Sequence, residues 1–294
     1  MQIEFVAHTA ETDADGRSLD RDALRDFACA AEEAGFGGLA VAGLPSGQDV
    51  AAVASFVLHS TATLGVLLRH RVGAVPPTIA AQHLATLDQL SGGRVTVAFE
   101  PDRLAPGESQ EDSLDRVDEY LVLLKRLWAN ERPFDHEGAF YSMVGAFSAA
   151  TPFGRPRIPL SLGGLTGSAI KVAARHADIF ELPDADALET GRLVERVRAA
   201  AAGHRRADEI RFSCRLGLEP GGDASAERLA LAVLALHDLG VVEFRVSGLA
   251  NAPALAAFGQ AVIPLVRRTV SHHASHARQP DAGNARLSAL RTGI

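Results

Sequence analysis

Short apolar segments alternate with longer amphipathic segments along most of this chain. The apolar segments are continuous, which is typical of strands that are buried on both faces of a parallel sheet. A region at 139–144 alternates between apolar and polar residues instead, and predicts an edge strand or hairpin. The pattern predicts eight buried strands, at 2–7, 38–42, 64–68, 94–99, 158–162, 179–182, 210–216 and 243–246.

Most of the intervals between these strands carry apolar residues at the spacing of a helix face. The helix predicted after the fifth strand begins near Thr166 and continues through Ala174. Two other helices stop at Gly35 and Gly240, where a helix C-cap favours glycine. These two are predicted at 19–34 and 229–239, and the remaining helices at 49–60, 76–90, 114–128, 188–202 and 252–268.

Eight parallel strands that alternate with helices close into a ring in the TIM barrel. The 294 residues therefore predict an α/β fold with a single (β/α)₈ TIM barrel over residues 1–270. Residues 271–294 are polar and contain too little apolar surface to offset the entropy of ordering, so they predict a flexible C-terminal tail. No G-x-G-x-x-G run follows the first strand, which argues against a dinucleotide-binding fold.

The turn after the fifth strand is the clearest candidate for a binding site. Gly163 and Gly164 remove side chains where the backbone must turn, and Thr166 and Ser168 place hydroxyls on either side of Gly167 at the start of the next helix. Unpaired N–H groups and the positive end of the helix dipole favour a phosphate there. A capped connection between strand and helix, without a ligand, would give the same pattern.

Composition and charge narrow the possible partners. Hydrophobic residues make up 47% of the chain and aromatic residues 5%, which suits helices packed around parallel strands. A net charge of -7 argues against nucleic acid or an anionic membrane as a partner. Cys29 and Cys214 match no metal-binding spacing, and we predict no metal site. Because the chain begins directly with a strand and has no apolar run long enough to span a bilayer, we expect a cytoplasmic protein.

In a barrel of this kind the chemistry takes place at the C-terminal ends of the strands. His8 follows the first strand, although a loop histidine bonded to the backbone would occupy the same position. Arg215 lies within an apolar strand, where a buried guanidinium requires a partner that an anionic ligand could supply. The other residues at predicted strand ends are Ser46, Arg69, His70, Arg71, Glu100, Glu181, Ser247 and Gly248.

Neighbouring residues at these strand ends suggest how the charges pair. Arg69 and Arg71 point to the same side of an extended segment and His70 to the other. Glu100 and Glu181 are candidate partners for the arginines. No Ser-His-Asp order, zinc spacing or nucleophile elbow is present, which argues against the common hydrolases. The histidines in or beside predicted helices are expected at the surface; they are His83, His176, His204 and His237.

Four segments resemble a known family. The runs PTIAA at 77–81 and ATLDQLSGGR at 85–94 resemble the signature of the bacterial luciferase-like flavin monooxygenases, especially the alkanesulfonate monooxygenase branch. The segment 135–145, DHEGAFYSMVG, resembles the part of that branch before strand five. The segment 158–178, IPLSLGGLTGSAIKVAARHAD, resembles its flavin-phosphate segment, and the final helix to Val266 resembles its ending.

The resemblance covers nearly the whole chain to about residue 268. It implies a (β/α)₈ barrel, usually oligomeric, that takes reduced FMN from a separate flavin reductase and uses O₂ to oxygenate a small-molecule substrate, which is anionic in the sulfonate branch. In this family context the glycine turn after strand five would hold the flavin phosphate. Arg71 and Arg215 are similar to family arginines at the ends of strands three and seven.

Several positions depart from the family pattern. Gly47 replaces a cysteine after strand two, Gly217 replaces a histidine after the strand-seven arginine, and Leu249 replaces a tyrosine after strand eight. Val117 replaces a tyrosine in the helix after strand four, and Glu100-Pro101 replaces Thr-Gly. The long insertion between strands seven and eight is almost absent, so the scaffold is retained while much of the family chemistry is missing.

We therefore expect an FMNH₂- and O₂-dependent monooxygenase whose substrate has departed from alkanesulfonates. His8 is the candidate group for proton transfer, and Arg71 and Arg215 are the candidates for anionic or developing charge. One alternative is a non-catalytic flavin-binding or regulatory subunit, in a homo-oligomer or a heteromer. The other is a deazaflavin-dependent reductase on the same scaffold.

Overall fold

The computed structural model describes residues 3–8, 19–41, 48–101, 109–129, 131–184, 186–218 and 225–277, the last six of these as backbone only. Ser46 and Gly47, which the sequence analysis singled out, lie outside these ranges. Within them, no helix combines the length and the apolar character needed to cross a membrane.

The predicted (β/α)₈ barrel is confirmed. In the described part of the chain, eight parallel strands close in the order β1-β10-β9-β8-β7-β4-β3-β2. These strands are β1 (Glu4–His8), β2 (Gly38–Val41), β3 (Gly65–Arg71), β4 (Val95–Glu100), β7 (Leu160–Gly163), β8 (Ile179–Leu182), β9 (Arg211–Gly217) and β10 (Val241–Ser247).

The alternating region after the fourth helix forms an antiparallel hairpin outside the barrel, in which β5 (Phe134–Glu137) pairs with β6 (Ser142–Ala146). The helices surround the barrel. They are α1 (Arg21–Glu33), α2 (Val50–Ser60), α3 (Pro77–Ser91), α4 (Gln110–Ala129), α5 (Gly167–His176), α6 (Ala187–Ala202), α7 (Ala226–Asp238) and α8 (Ala252–Ala277).

Helix α8 continues past residue 270, where the sequence analysis placed the start of a polar tail. The helix runs to Ala277 because neither glycine nor proline interrupts the chain after Pro264 in this stretch. Residues 278–294 of the expected tail lie outside the described ranges.

The interior of the barrel is divided into an apolar side and a polar side. Strands β1 to β4 contribute a small buried cluster inside the ring, made of Val6, Ala40, Leu67 and Ala98. The strands on the other side contribute polar and charged side chains to the interior, namely Ser161, Glu181, Ser213, Glu243 and Arg245. The alternate residues of all strands face outward and pack under the helices in one continuous core that includes Phe5, Phe180, Phe212 and Phe244.

The segment that most resembles the family signature stabilises the end of the barrel opposite the strand C-termini. Gly92 and Gly93 have φ values of 68° and 87° and end α3, and the guanidinium of Arg94 donates to the carbonyl oxygens of Leu58 and Leu64, both at 2.8 Å. These bonds satisfy carbonyls at the end of α2 and before β3. Residues 91–94 of the signature therefore form a structural junction at this end of the barrel.

Asp88 in the same segment is fully buried and carries its charge into the core. Its carboxylate accepts a hydrogen bond from Arg155 at 2.6 Å and another from the backbone N–H of Phe153 at 2.9 Å. Arg155 also donates to the carbonyl oxygen of Gly93 at 2.9 Å. This pair holds the chain before β7 against α3, and so fixes the point at which the fifth barrel strand enters the sheet.

Removing Arg155 should therefore destabilise the protein strongly. In Arg155→Met the buried carboxylate of Asp88 keeps only its backbone donor, and we expect the free energy of unfolding to fall by about 3 kcal/mol. The double variant Asp88→Asn/Arg155→Met should recover part of the loss, because the unpaired charge is removed. Urea denaturation measures both, and a loss of less than about 1 kcal/mol in the single variant would contradict this account.

Candidate functional site

A cavity of about 600 Å³ opens at the C-terminal ends of the barrel strands. Its walls include His8 from β1, Arg69 from β3, Glu181 from β8 and Arg215 from β9. Gly163 and its neighbours in the turn after β7 form part of the rim. Enzymes with this fold use this end of the barrel, and the volume lies in the range of small-molecule and cofactor sites.

The turn between β7 and α5 has a backbone that requires glycine. Gly164 has a φ of 130°, and a Cβ placed on it would lie 2.6 Å from the Cβ of Ala169. Thr166 is the N-cap of α5, and its hydroxyl accepts from the N–H of Ala169 at 3.2 Å. The N–H groups of Gly167 and Ser168 precede the first intrahelical bond and have no acceptor in the helix.

The turn thus presents free amides beside the cavity, as an anion-binding helix terminus does. Gly163, Gly164 and Thr166 line the cavity directly. Gly167 is exposed and Ser168 is half-buried, and both lie in the first turn of the helix behind that rim. The predicted glycine turn is therefore at the mouth, on the same side of the barrel as Arg215.

A side chain at position 164 should disturb this turn. In Gly164→Ala the positive φ and the contact with Ala169 act together, and we expect the free energy of unfolding to fall by about 1–3 kcal/mol. Gly167→Ala is the matched control, because a Cβ at that position has nothing within 4 Å and the stability should hardly change. Thermal and urea unfolding of the two variants compare them, and equal losses would show that the turn is not constrained in this way.

His8 enters the cavity as a neutral imidazole. Its Nε2 atom is buried and has no hydrogen-bond partner among the described residues. Burial first, and then the positive charges of Arg215, Arg69 and Arg245, lower the pKa of His8 to about 4. The ring is therefore uncharged at neutral pH, with one nitrogen able to exchange a proton or a hydrogen bond with a ligand.

Arg215 is exposed, which corrects the expectation of a buried guanidinium at this position. It lies near the end of β9 on the wall of the cavity and forms no ion pair with a described residue. The apolar residues on either side of it in the sequence face outward into the core, and Arg215 projects into the open mouth, because successive residues of a strand point to opposite faces.

The buried guanidinium belongs to Arg245, which the sequence analysis missed. Arg245 is 4% exposed and lies on β10 at the floor of the cavity. It donates to Glu181 at 2.6 Å, to Glu243 at 2.8 Å and to the hydroxyl of Ser161 at 2.8 Å. The alternation in EFRV at 243–246 was the available signal, since it puts Glu243 and Arg245 on one face of a strand.

Arg69 forms ion pairs with both carboxylates that the sequence analysis suggested. It contacts Glu100 directly, and its guanidinium lies 3.8 Å from the carboxylate of Glu181. His70 points the other way, as predicted, and its Nε2 atom lies 2.9 Å from the hydroxyl of Tyr120 in α4. The ion pairs of Arg69 and Arg245 neutralise most of the charge on the cavity floor.

Arg71 lines a second cavity of about 450 Å³ beside the first. This cavity also contains Asp49 and His83, and Arg69 and Glu100 border both cavities. The structure therefore brings His8 and Arg215 together around the glycine turn and sets Arg71 on the far side of the Arg69–Glu100 pair.

One of the four histidines expected at the surface is buried. His83 and His204 are exposed and His237 is half-buried, but His176 is only 2% exposed. The prediction for His176 was wrong because its ring lies between α5 and α4, where side chains on α4 satisfy both ring nitrogens.

The charge of Arg215 should control the protonation of His8. In Arg215→Gln we expect the pKa of His8 to rise from about 4, since one repelling charge is lost, and to stay below 6.5, since burial is the larger cause. Arg71→Gln is the control and should leave the pKa of His8 unchanged. Titration of the histidine ring signals by NMR measures both, and an unchanged value in Arg215→Gln would contradict the proposed proximity.

The chain is similar to known proteins in both sequence and fold. Residues 1–286 match the sequence model of a family described as luciferase-like monooxygenase. Among solved structures, a long-chain alkane monooxygenase superposes with a TM-score of 0.79 at 14% identity, covering 92% of this chain and 92% of that one. A riboflavin lyase solved with modified FMN and riboflavin gives 0.76 at 18% identity, with 92% of each chain covered.

A third structure of similar shape uses a different cofactor. An F420-dependent secondary alcohol dehydrogenase, solved with an F420–acetone adduct, has a TM-score of 0.74 at 16% identity, covering 91% of this chain and 100% of that one. At these identities the structures share the fold and leave the choice of cofactor open.

Proposed function

We propose that this chain, which belongs to the luciferase-like monooxygenase family, is a flavin-dependent oxidoreductase. In this proposal it oxygenates a small substrate with reduced FMN and O₂. The observation that carries the proposal is the cavity at the barrel mouth with the glycine turn of α5 on its rim. FMN combines a flat ring system with a terminal phosphate, and the two parts of this site suit the two parts of the molecule.

The turn meets the requirements of a phosphate site. A Cβ at position 164 would be blocked by Ala169, so the backbone alone faces the rim there. The amides of Gly167 and Ser168 and the hydroxyl of Thr166 are the groups that would hold the phosphate, assisted by the helix dipole. Gly163 and Gly164 keep side chains out of the space in front of these groups.

Two residues of the cavity wall would act on the substrate. When bound, reduced FMN supplies the electrons with which O₂ is activated. His8, neutral and with an unpartnered Nε2, is suited to accept or return a proton during turnover. Arg215 would stabilise an anionic group of the substrate or charge that develops during the reaction, because its positive charge projects into the cavity without an ion pair among the described residues.

The ion pairs around the cavity limit the charge of the substrate. Arg69 and Arg245 are each paired with carboxylates, which leaves Arg215 as the cation and Asp184 as the carboxylate that line the first cavity without an ion pair among the described residues. This balance supports a neutral substrate or one with a single anionic group. Arg71 in the second cavity would contact only a ligand that extends past Glu100.

Two observations favour other functions on the same scaffold. The structural likeness to an F420-dependent dehydrogenase supports a deazaflavin-dependent reductase as the second candidate. Leu249 and Val117, which stand where the family has tyrosines, are buried at 7% and 1% exposure and belong to the core. Their burial supports a flavin-binding subunit that is not catalytic, or one subunit of a heteromer in which the partner carries out the reaction.

Cofactor titration separates these functions. We expect anaerobic fluorescence titration to show binding of FMNH₂, and Gly164→Ala to weaken it at least tenfold, because the phosphate turn is displaced. Gly92→Ala is the control: it introduces a side chain at another positive φ, at the opposite end of the barrel, and should leave the affinity unchanged. Tenfold tighter binding of F420 than of FMNH₂ would replace the proposal with the reductase.

Turnover is tested in a second step. With a flavin reductase, NADH and FMN, O₂ uptake and product are measured over neutral and singly anionic substrates. We expect Arg215→Gln to lower kcat/KM at least tenfold for an anionic substrate. Tight FMNH₂ binding with no oxygenated product from any substrate would support the flavin-binding subunit, and no binding of any flavin would overturn a flavin function altogether.

A further inference from the structure

Three side chains form a hydrogen-bonded row on the outside of the barrel, away from both cavities. Asp118 and Lys125 lie on the same face of α4, seven residues apart, and His176 ends α5 between them. The Oδ1 atom of Asp118 is 2.8 Å from Nε2 of His176, and Nδ1 of His176 is 2.9 Å from Nζ of Lys125. The Nζ atom also donates to the carbonyl oxygen of His176 at 3.3 Å.

The row fixes the protonation of the histidine. A carboxylate can only accept, so Nε2 of His176 carries the proton and donates to Asp118, and Nδ1 is the acceptor that faces Lys125. Burial lowers the pKa of His176 to about 4, which keeps the ring neutral at neutral pH. Arg175 also bonds Asp118, at 2.5 Å, and holds the carboxylate in place.

Lys125 lies at one end of the row, and its surroundings change the pKa of its amine. Burial first, and then the charges of Arg157 and Arg206, lower the pKa of Lys125 to about 7. About half of the amine is therefore neutral at pH 7, against about 0.04% of a lysine with the ordinary pKa near 10.4. The side chain remains partly exposed.

The hydrogen bonds of the neutral amine leave its lone pair free. A neutral amine has two N–H groups, and here both have acceptors, Nδ1 and the carbonyl oxygen of His176. The lone pair must then point away from the histidine, in the orientation that attack on an external electrophile requires. Such an amine is held ready to react, since neither donor has to be desolvated at the moment of attack.

We propose that Lys125 is a nucleophilic lysine and a site of covalent acylation by small activated acyl donors, such as acyl phosphates and acyl thioesters. The amine nitrogen attacks the carbonyl carbon, a C–N bond forms, and the C–O or C–S bond to the leaving group breaks. The leaving phosphate or thiolate takes the electron pair of that bond. The proton lost by the nitrogen passes to water.

The surroundings favour an acyl donor over an aldehyde. An aldehyde would give a cationic iminium, which keeps a positive charge near Arg157 and Arg206, whereas acylation gives a neutral amide. The charged and titratable groups that face Lys125 from the elements packed around it are Asp118, Arg157, Arg175, His176, Asp178 and Arg206. His176 is a positioning residue in this proposal, since it acts only through Lys125.

The chain carries its own control. It contains two lysines, Lys125 and Lys171, and Lys171 is exposed on α5. We treat the intact protein with acetyl phosphate and, separately, with acetyl coenzyme A, from pH 6 to 9, and measure acetylation of each lysine by peptide mass spectrometry. At pH 7 we expect Lys125 to react at least ten times faster than Lys171, with a rate that reaches half its maximum near pH 7.

The two donors distinguish the sources of the acyl group. Reaction with acetyl phosphate alone, or with the thioester alone, identifies the donor class and supports the proposal in either case. Equal rates at the two lysines, faster reaction of Lys171, or a midpoint above about pH 9 for Lys125 would overturn it. None of these outcomes depends on whether the protein binds a flavin.

Two variants test the role of His176. His176→Phe keeps a flat ring but removes the acceptor, and should slow acetylation of Lys125 at least tenfold and move its pH midpoint, with the rate at Lys171 unchanged. His176→Gln restores an acceptor and should recover most of the rate. An unchanged rate and midpoint in His176→Phe would show that the row is structural only; should that variant not fold, the comparison of the two lysines in the unmodified chain still decides the proposal.

Discussion

The buried guanidinium of Arg245 is the constraint on which the barrel interior depends. A charge that is 4% exposed must be matched by partners, and here these come from three other positions, Ser161 on β7, Glu181 on β8 and Glu243 on the same strand. They meet only when β7, β8, β9 and β10 lie in their observed order in the closed ring. The network therefore links strand register to barrel closure on the polar side, while four small apolar residues fill the other side.

The same network shapes the site above it. Because Glu181 bonds Arg245 and lies near Arg69, and Arg69 in turn pairs with Glu100, most charges at the floor are neutralised within the protein. Among the described residues, Arg215, Asp184 and the uncharged ring of His8 remain toward the cavity. Arg215 is therefore the described arginine of this wall whose charge is not already paired with a carboxylate of the floor.

Stability and chemistry are separated along the axis of the barrel. Asp88 and Arg94 tie α2, α3 and the chain before β7 together at the N-terminal end of the strands, and none of their contacts reaches the mouth. The C-terminal ends carry the cavity and the departures from the family pattern. This division explains how a chain keeps the junction on which its resemblance rests while a position at a strand C-terminus, such as Gly217, departs from the family pattern.

The positions of strands and helices followed from local pattern, because continuous apolar runs and helical spacing record which faces are buried. The barrel, the glycine turn at 163–168 and the placement of His8 and Arg215 at one mouth could all be predicted from this information. The opposite directions of Arg69 and His70 followed from the alternation of side chains along a strand.

The partners of the charged groups could not be predicted, because they come from residues distant in the chain. Arg215 and Arg245 both lie in apolar strands, and only the stagger of the closed ring exposes the first and buries the second. His176 becomes buried because α4 packs on α5. The sequence by itself determined the architecture and the location of the mouth, since both depend on local periodicity; the tertiary structure alone decided which charges are neutralised and which face a ligand, since electrostatic pairing depends on distances across the barrel.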